Sequence, residues 1–213
     1  MLTRLGEAQI LLPAMGIALL WLVAHAPSRP LAWRWASGTL LAAALTALTK
    51  VAFIGFGVGM AGIDFTGLSG HAMFSAAILP WLLNLLLRGR RQSVPGIDLL
   101  PGAVLALLIA ISRVHVGAHS WSEALLGYAL GGAVTLWLWS VPETMQRIQS
   151  FPLTASWLLG TWLLLVPLHA PPSHSHSLVI ALSLRVSGHD RPYTRERMLR
   201  EHRPRHHADV AQA

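Results

Sequence analysis

Residues 121–141 read WSEALLGYALGGAVTLWLWSV, and the only charged side chain among them is Glu123. The hydrocarbon core of a bilayer is about 30 Å thick, so a helix needs about 20 mostly apolar residues to cross it. This stretch meets that length. Its apolar residues run together and do not alternate, which is a helical pattern and not that of a barrel strand. In lipid only helices and closed barrels satisfy their own backbone groups, so a continuous run reads as a membrane helix.

Five more runs share this character: 8–26, 36–60, 71–87, 99–112 and 153–169. Lys50 interrupts the second, and the fourth is short. The first lacks a small-residue cleavage site and reads as a retained helix, not a signal peptide. The expected fold class is all-α, a polytopic membrane bundle of about six transmembrane helices within residues 1–172. A further apolar stretch, 178–186, is too short to span and suits an interfacial amphipathic helix. Residues 173–213 are therefore expected to form a basic C-terminal segment, a short amphipathic helix followed by a flexible tail.

Composition agrees. The chain is 54% hydrophobic and only 12% charged, where soluble domains carry about 25% charged residues. It has no cysteine, which excludes disulfides, thiolate metal sites and cysteine nucleophiles. The formal charge of +7 is uneven: Arg185, Arg191, Arg195, Arg197, Arg200, Arg203 and Arg205 crowd the end of the chain. Such a segment reads as a solvated, partly disordered terminus, or as one drawn to anionic lipid headgroups. Nucleic acid is not an expected partner, and the oligomeric state is not legible.

Positive residues mark the cytoplasmic side of membrane proteins. Arg29 and Arg34, then Arg88, Arg90 and Arg91, then Arg147 fall in the first, third and fifth connections. The second and fourth connections, 61–70 and 113–120, then face outward together. The expectation is an integral protein of the bacterial inner (plasma) membrane, with those connections toward the periplasm or exterior. Six spans would also leave the basic C-terminal segment outside, against the rule. Trp21, Trp33, Trp35, Trp121, Trp139 and Trp157 lie near run ends and are expected as interface anchors.

The two outward connections hold most of the reactive residues. The second ends in Asp64-Phe-Thr-Gly-Leu-Ser-Gly-His71, directly before an apolar run. A serine cap, the free amides of a helix start and a glycine that admits close approach suit an anion. The fourth holds Ser112, Arg113, His119 and Glu123. Arginine's planar fork matches phosphate oxygens. His119 and Glu123 are four apart, so on a helix they share a face, and the carboxylate would fix the imidazole tautomer. Lys50 within an apolar run costs about 2.5–3.5 kcal/mol at a helix centre and calls for an anionic partner.

These residues resemble the type 2 phosphatidic acid phosphatase family, membrane lipid phosphatases related to vanadium haloperoxidases. That family carries K-x6-R-P, then P-S-G-H, then S-R-x5-H-x3-D. Ser112, Arg113 and His119 fit the third signature, with Glu123 in the aspartate's place. Ser69, Gly70 and His71 fit the second, with Leu68 for proline. The first survives only as Lys50, because Gly57 and Val58 stand where Arg-Pro would. The resemblance implies that His119 attacks phosphorus, Glu123 orients it and His71 protonates the leaving oxygen. Lys50, Ser69, Gly70 and Arg113 would hold the phosphoryl oxygens. It implies a phosphorylated lipid substrate, a phosphohistidine intermediate, and no metal or other cofactor.

Two other readings stand beside it. The missing arginine and the longer Glu123 also suit a catalytically impaired relative that binds or moves phosphorylated lipids. His115 and His119, or His202 with His206 and His207, have spacings seen in metal sites, but imidazole spacing alone is weak and Pro204 interrupts the second set.

Overall fold

The computed structural model describes residues 2–87, 97–140, 151–171, 173 and 175–202. Arg88, Arg90, Arg91, Pro142, Arg147, Pro172, His174, Arg203, Pro204, Arg205, His206 and His207 lie outside these residues. Among the described residues the regular structure is helical, with one isolated bridge between Met60 and Phe65.

A short turn of helix, α1 (Leu2–Leu5), precedes α2 (Ala8–Ala24). Pro27 and Pro30 do not separate two helices widely. A single 3-10 turn, Ala26–Ser28, leads straight into α3 (Arg29–Phe56), where Pro30 sits in the first turn and needs no N–H partner. The third helix therefore begins earlier than its apolar run, and it ends at Gly57, whose φ of 70° is the left-handed cap that glycine adopts without strain. Then follow α4 (Gly70–Leu87), α5 (Leu100–His115), α6 (Trp121–Trp139) and α7 (Leu153–His169). The C-terminal segment forms α8 (Ser175–Ser187) and α9 (Arg195–His202).

Among the described residues, three stretches are long and apolar enough to cross a membrane: Ala26–Phe56, Gly70–Leu87 and Ile97–His115. Ala8–Ala24 and Leu153–His169 are apolar but shorter. Glycines, tryptophans, Ser122 and Glu123 dilute the hydropathy of α6, which is helical as expected but does not join the three. Leu40, Leu41 and Leu48 on α3 and Leu158 and Leu164 on α7 are each at least 62% exposed, a surface suited to lipid contact.

The centre of the bundle is α4, where Met73, Ala77, Ile78, Trp81 and Leu82 are fully buried. Glycines let its neighbours come close. A Cβ on Gly131 of α6 would stand 2.1 Å from the Met73 carbonyl, and one on Gly102 of α5 would stand 2.4 Å from Pro80 Cα. Small residues of this kind are how membrane helices pack. Pro80 has no N–H to give the Ala76 carbonyl one turn back. The Thr135 hydroxyl on α6 donates to that carbonyl at 2.7 Å, so the break is repaired by the helix packed against it. Trp35, expected at the interface, is instead fully buried and donates from Nε1 to Ala77 O at 2.9 Å. Its indole serves the α3–α4 contact, whereas Trp33 is 68% exposed and Trp157 70% exposed.

The helices alternate in direction. Gly6, just before α2, lies against His71 at the start of α4. Gly67, just before α4, lies against Lys50 near the end of α3. Arg4 donates to the carbonyl of Ala170, just past α7. The starts of α2, α4 and α6 and the ends of α3, α5 and α7 thus share one end of the bundle.

Candidate active site

Local chemistry builds the site at that end. The loop before α4 is shaped by Asp64, at φ 50°, and Gly67, at φ 135°. At Gly67 a Cβ would come within 3.2 Å of the Lys50 backbone, so glycine is required both for conformation and for space. Leu68 N donates to Thr49 Oγ1 at 3.1 Å, tying the loop to α3 one residue from Lys50. Gly127 of α6 would place a Cβ 2.6 Å from Ser69 O, and its bareness lets Ser69 N donate to Glu123 O at 3.1 Å.

After α5 the chain turns sharply. Gly117, at φ 69°, and the bond from Ala118 N to Arg113 O at 3.1 Å reverse it. Ser120 then caps α6 in a reciprocal box: Glu123 N donates to Ser120 Oγ at 3.3 Å, and Ser120 N donates to Glu123 Oε2 at 3.3 Å. His119 and Glu123 meet as expected, with Nδ1 2.6 Å from Oε2. The reason differs from the expected shared helix face. His119 precedes the helix, and the capping box folds the glutamate back toward it.

Glu123 is fully buried, and both its oxygens are engaged. Oε2 takes His119 and Ser120 N. Oε1 accepts from Thr66 N at 2.8 Å, from the Thr66 hydroxyl and from Arg195 Nη2 at 2.6 Å. A carboxylate accepts only, so the facing Nδ1 carries the proton and Nε2 of His119 keeps its lone pair. Burial holds the His119 imidazole below its ordinary pKa; the bond from Glu123 opposes this, and the charges of Lys50 and Arg113 add to the lowering. His119 is therefore neutral near pH 7.

A cavity of about 900 Å³ opens beside this pair. Lys50, Gly70, His71, Arg113, His119 and Glu123 all line it, so six of the seven expected residues converge. Ser69 does not line it. It is fully buried beneath the loop, where its carbonyl accepts from Met73 N at 3.0 Å and its hydroxyl from Ala72 N at 3.5 Å. Its place is the cap of α4, not the cavity wall, and the backbone facing the cavity there belongs to Gly70. Arg113 Nε is buried with no hydrogen-bond partner among the described residues. Ala43, Ala47, Phe53 and Ile54 of α3 and Val179 and Ile180 of α8 give the cavity an apolar side.

Sequence does not single out Thr66 or Arg195. Thr66 lies in the loop before α4 but carries no distinctive chemistry. Arg195 belongs to a basic stretch that reads as solvated, yet its side chain is 31% exposed and reaches the buried carboxylate. Among the described residues no cluster of three or more His, Asp and Glu is placed to hold a metal.

The class defined so far is a helical membrane protein with a cationic, histidine-centred pocket at one end of the bundle. Comparison with known proteins places it more closely: the chain belongs to the PAP2 superfamily, whose profile matches residues 61–147. Lys50 lies outside that match. A Klebsiella pneumoniae protein described as "Uncharacterized 22.5 kDa protein in cps region" is 32% identical over 194 residues, covering 89% of this chain and 92% of its own. No solved structure matches the chain. Membership of the superfamily suggests a phosphatase.

Proposed function

We propose that this protein hydrolyses a lipid phosphate or lipid diphosphate monoester through a phosphohistidine intermediate, using its own cations and no metal. The observation that carries this reading is the pairing of His119 with the buried Glu123, 2.6 Å apart, beside a cavity shared with Lys50, His71 and Arg113. Phosphoryl transfer asks mainly for positioning and for charge opposite the equatorial oxygens. His119 Nε2 attacks phosphorus while Glu123 stabilises the imidazolium through Nδ1–H. His71, protonated beside the negative charge of the bound phosphate, gives that proton to the leaving oxygen, and the P–O bond breaks. Lys50, Arg113 and the Gly70 amide hold the phosphoryl oxygens. Water then attacks phosphorus with His71 taking its proton, the P–Nε2 bond breaks, and phosphate leaves a neutral His119 behind.

The apolar side of the cavity suits a substrate whose tail stays in the bilayer while its phosphate enters. Alternating helix direction supports about six crossings, and the arginines at the start of α3 support a site toward the periplasm or exterior of the inner membrane. The division at residue 172 sets the bundle apart from a basic C-terminal segment that rests on it.

Phosphate release by purified protein in detergent, across phosphatidic acid, phosphatidylglycerol phosphate and polyprenyl diphosphate, tests the activity. We expect His119→Ala to lower turnover by at least about 10³-fold, and EDTA to leave it unchanged. Survival of activity in His119→Ala defeats the nucleophile assignment, and strong inhibition by EDTA defeats the metal-free mechanism. A second reading rests on Gly57 and on the extra methylene of Glu123: an impaired relative that binds or moves phosphorylated lipids. Equal background release by the wild type and His119→Ala, with retained lipid binding, would favour it.

A further inference from the structure

The C-terminal segment is attached to α3 through the groups that a helix end leaves open. The last carbonyls of a helix lack intrahelical partners. Here Tyr193 N donates to Ile54 O at 2.8 Å, and the His189 ring nitrogen Nδ1 lies 2.8 Å from Gly55 O. Met198, 6% exposed, packs with Phe53 and Ile54, and the Tyr193 ring meets Phe53 edge-on at 5.5 Å. The same ring lies over Gly57, where a Cβ would stand 3.3 Å from it. Gly57 is the position at which the first signature would carry arginine. The space of that missing side chain is thus a seat for the segment, and the segment brings a different arginine to the site.

We propose that Arg195 is a positioning residue for the nucleophile: it holds the outer oxygen of Glu123, so that the docked C-terminal segment is a working part of the active site. This rests on the phosphatase reading above and deepens it. Glutamate has one more rotatable bond than aspartate, so a glutamate that must orient an imidazole needs its far oxygen fixed as well. Arg195 Nη2 lies 2.6 Å from Glu123 Oε1 and 3.3 Å from Thr66 Oγ1, while Nη1 lies 3.4 Å from Asp64 Oδ2. The guanidinium therefore joins the loop before α4 to the start of α6, and it does so from a third element. The side chain of its neighbour Arg197 instead makes an exposed pair with Glu201 and lies over the Tyr193 ring.

The test uses the full chain in detergent, with p-nitrophenyl phosphate and phosphatidic acid as substrates. Circular dichroism and gel filtration confirm that each variant is folded. We expect Arg195→Gln to lower kcat by about 10- to 100-fold with KM changed less than about twofold, Arg195→Lys to recover part of it, and Arg197→Gln to behave as wild type. In a Glu123→Asp background, where the carboxylate no longer reaches Arg195, the same Arg195→Gln change should cost less than about threefold. A cost equal in both backgrounds, or one confined to KM, overturns the positioning role. His119→Ala separates the two levels: if it retains turnover the phosphatase reading falls, whereas if it is inactive while Arg195→Gln is fully active, only this inference falls. Carbethoxylation of His119 by diethyl pyrocarbonate, followed by mass spectrometry, needs no turnover. Arg195→Gln should change its rate at least about threefold, the same margin as that cycle, and an unchanged rate overturns the proposal.

Discussion

At the scale of single residues, the proposed chemistry turns on keeping one imidazole neutral and aimed. His119 is 13% exposed at its side chain and is held below its ordinary pKa, first by burial and then by the nearby Lys50 and Arg113, with the Glu123 bond working the other way. A protonated imidazole cannot attack phosphorus. Lowering the pKa extends the neutral, competent form to more acid conditions, so loss of competence on acidification sets in below about 6.5, the ordinary histidine value. Rates alone would mix this with the substrate's own titration, because a phosphate monoester loses its second proton near pH 6. The pH dependence of His119 carbethoxylation in the free protein reads the imidazole directly. We expect a midpoint below 6.5; a midpoint at or above that value would contradict the buried, cation-flanked environment. These residues are legible in sequence because their spacing is chemical: Ser112, Arg113, His119 and Glu123 announce themselves within one turn and one helix start. Arg195 is not, because nothing within residues 191–200 distinguishes an arginine that enters a cavity from its solvated neighbours. Only the docking of that segment on α3 makes the difference. Ser69 departs from expectation for the opposite reason. Its signature position is clear, but a serine at a helix start can face either the ligand or its own backbone, and here the close approach of α6 turns it inward.

At the scale of elements, the site depends on how closely α6 lies on α4, since α6 carries Glu123 and α4 carries His71. Gly127 and Gly131 set that distance, and their closest contacts are with backbone atoms that cannot step aside. A Cβ added at Gly132, on the same helix, would meet nothing within 4 Å. This pair makes a controlled comparison. Gly131→Ala forces the helices apart and should destabilise by about 1–3 kcal/mol, with activity falling as the glutamate retreats from the loop. Gly132→Ala adds the same methyl to open space and should leave both properties near wild type, with the small gain of a better helix former. Thermal unfolding in detergent, with phosphate release measured on the same samples, checks both. A neutral Gly131→Ala would mean that α4 and α6 are not in the contact described. Apolar runs make the existence of these helices readable, but not their packing. Period and hydropathy say that a face is apolar and leave open whether lipid or another helix covers it. That is why Trp35 reads as an interface anchor and lies in the core, and why the repair of Pro80 by Thr135 has no trace in either segment alone.

At the scale of the whole molecule, the arrangement to explain is a basic segment on the same face as the site. The charge rule for membrane topology acts on positive residues close to helix ends, and the proposed outward site puts Arg29 and Arg34, in the first two turns of α3, on the cytoplasmic side. The C-terminal arginines depart from it, and two of them are engaged by the protein itself: Arg195 faces Asp64 and Glu123, and Arg197 faces Glu201. An even number of crossings before residue 173 then places the segment beside the pocket without contradiction, and an odd number could not bring Arg195 to Glu123. The chain has no cysteine, so a single introduced one is a unique label. Val58 and Val116, 64% and 57% exposed, and the exposed Glu196 share the site's end, while the exposed Pro27 lies at the other. In intact cells a membrane-impermeant maleimide should label Val58→Cys, Val116→Cys and Glu196→Cys, whereas Pro27→Cys should react only after lysis. Labelling of Pro27→Cys alone would invert the orientation yet keep the site whole. Labelling of Val116→Cys without Glu196→Cys would separate the C-terminal segment from the pocket, and with it would go every role argued for Arg195.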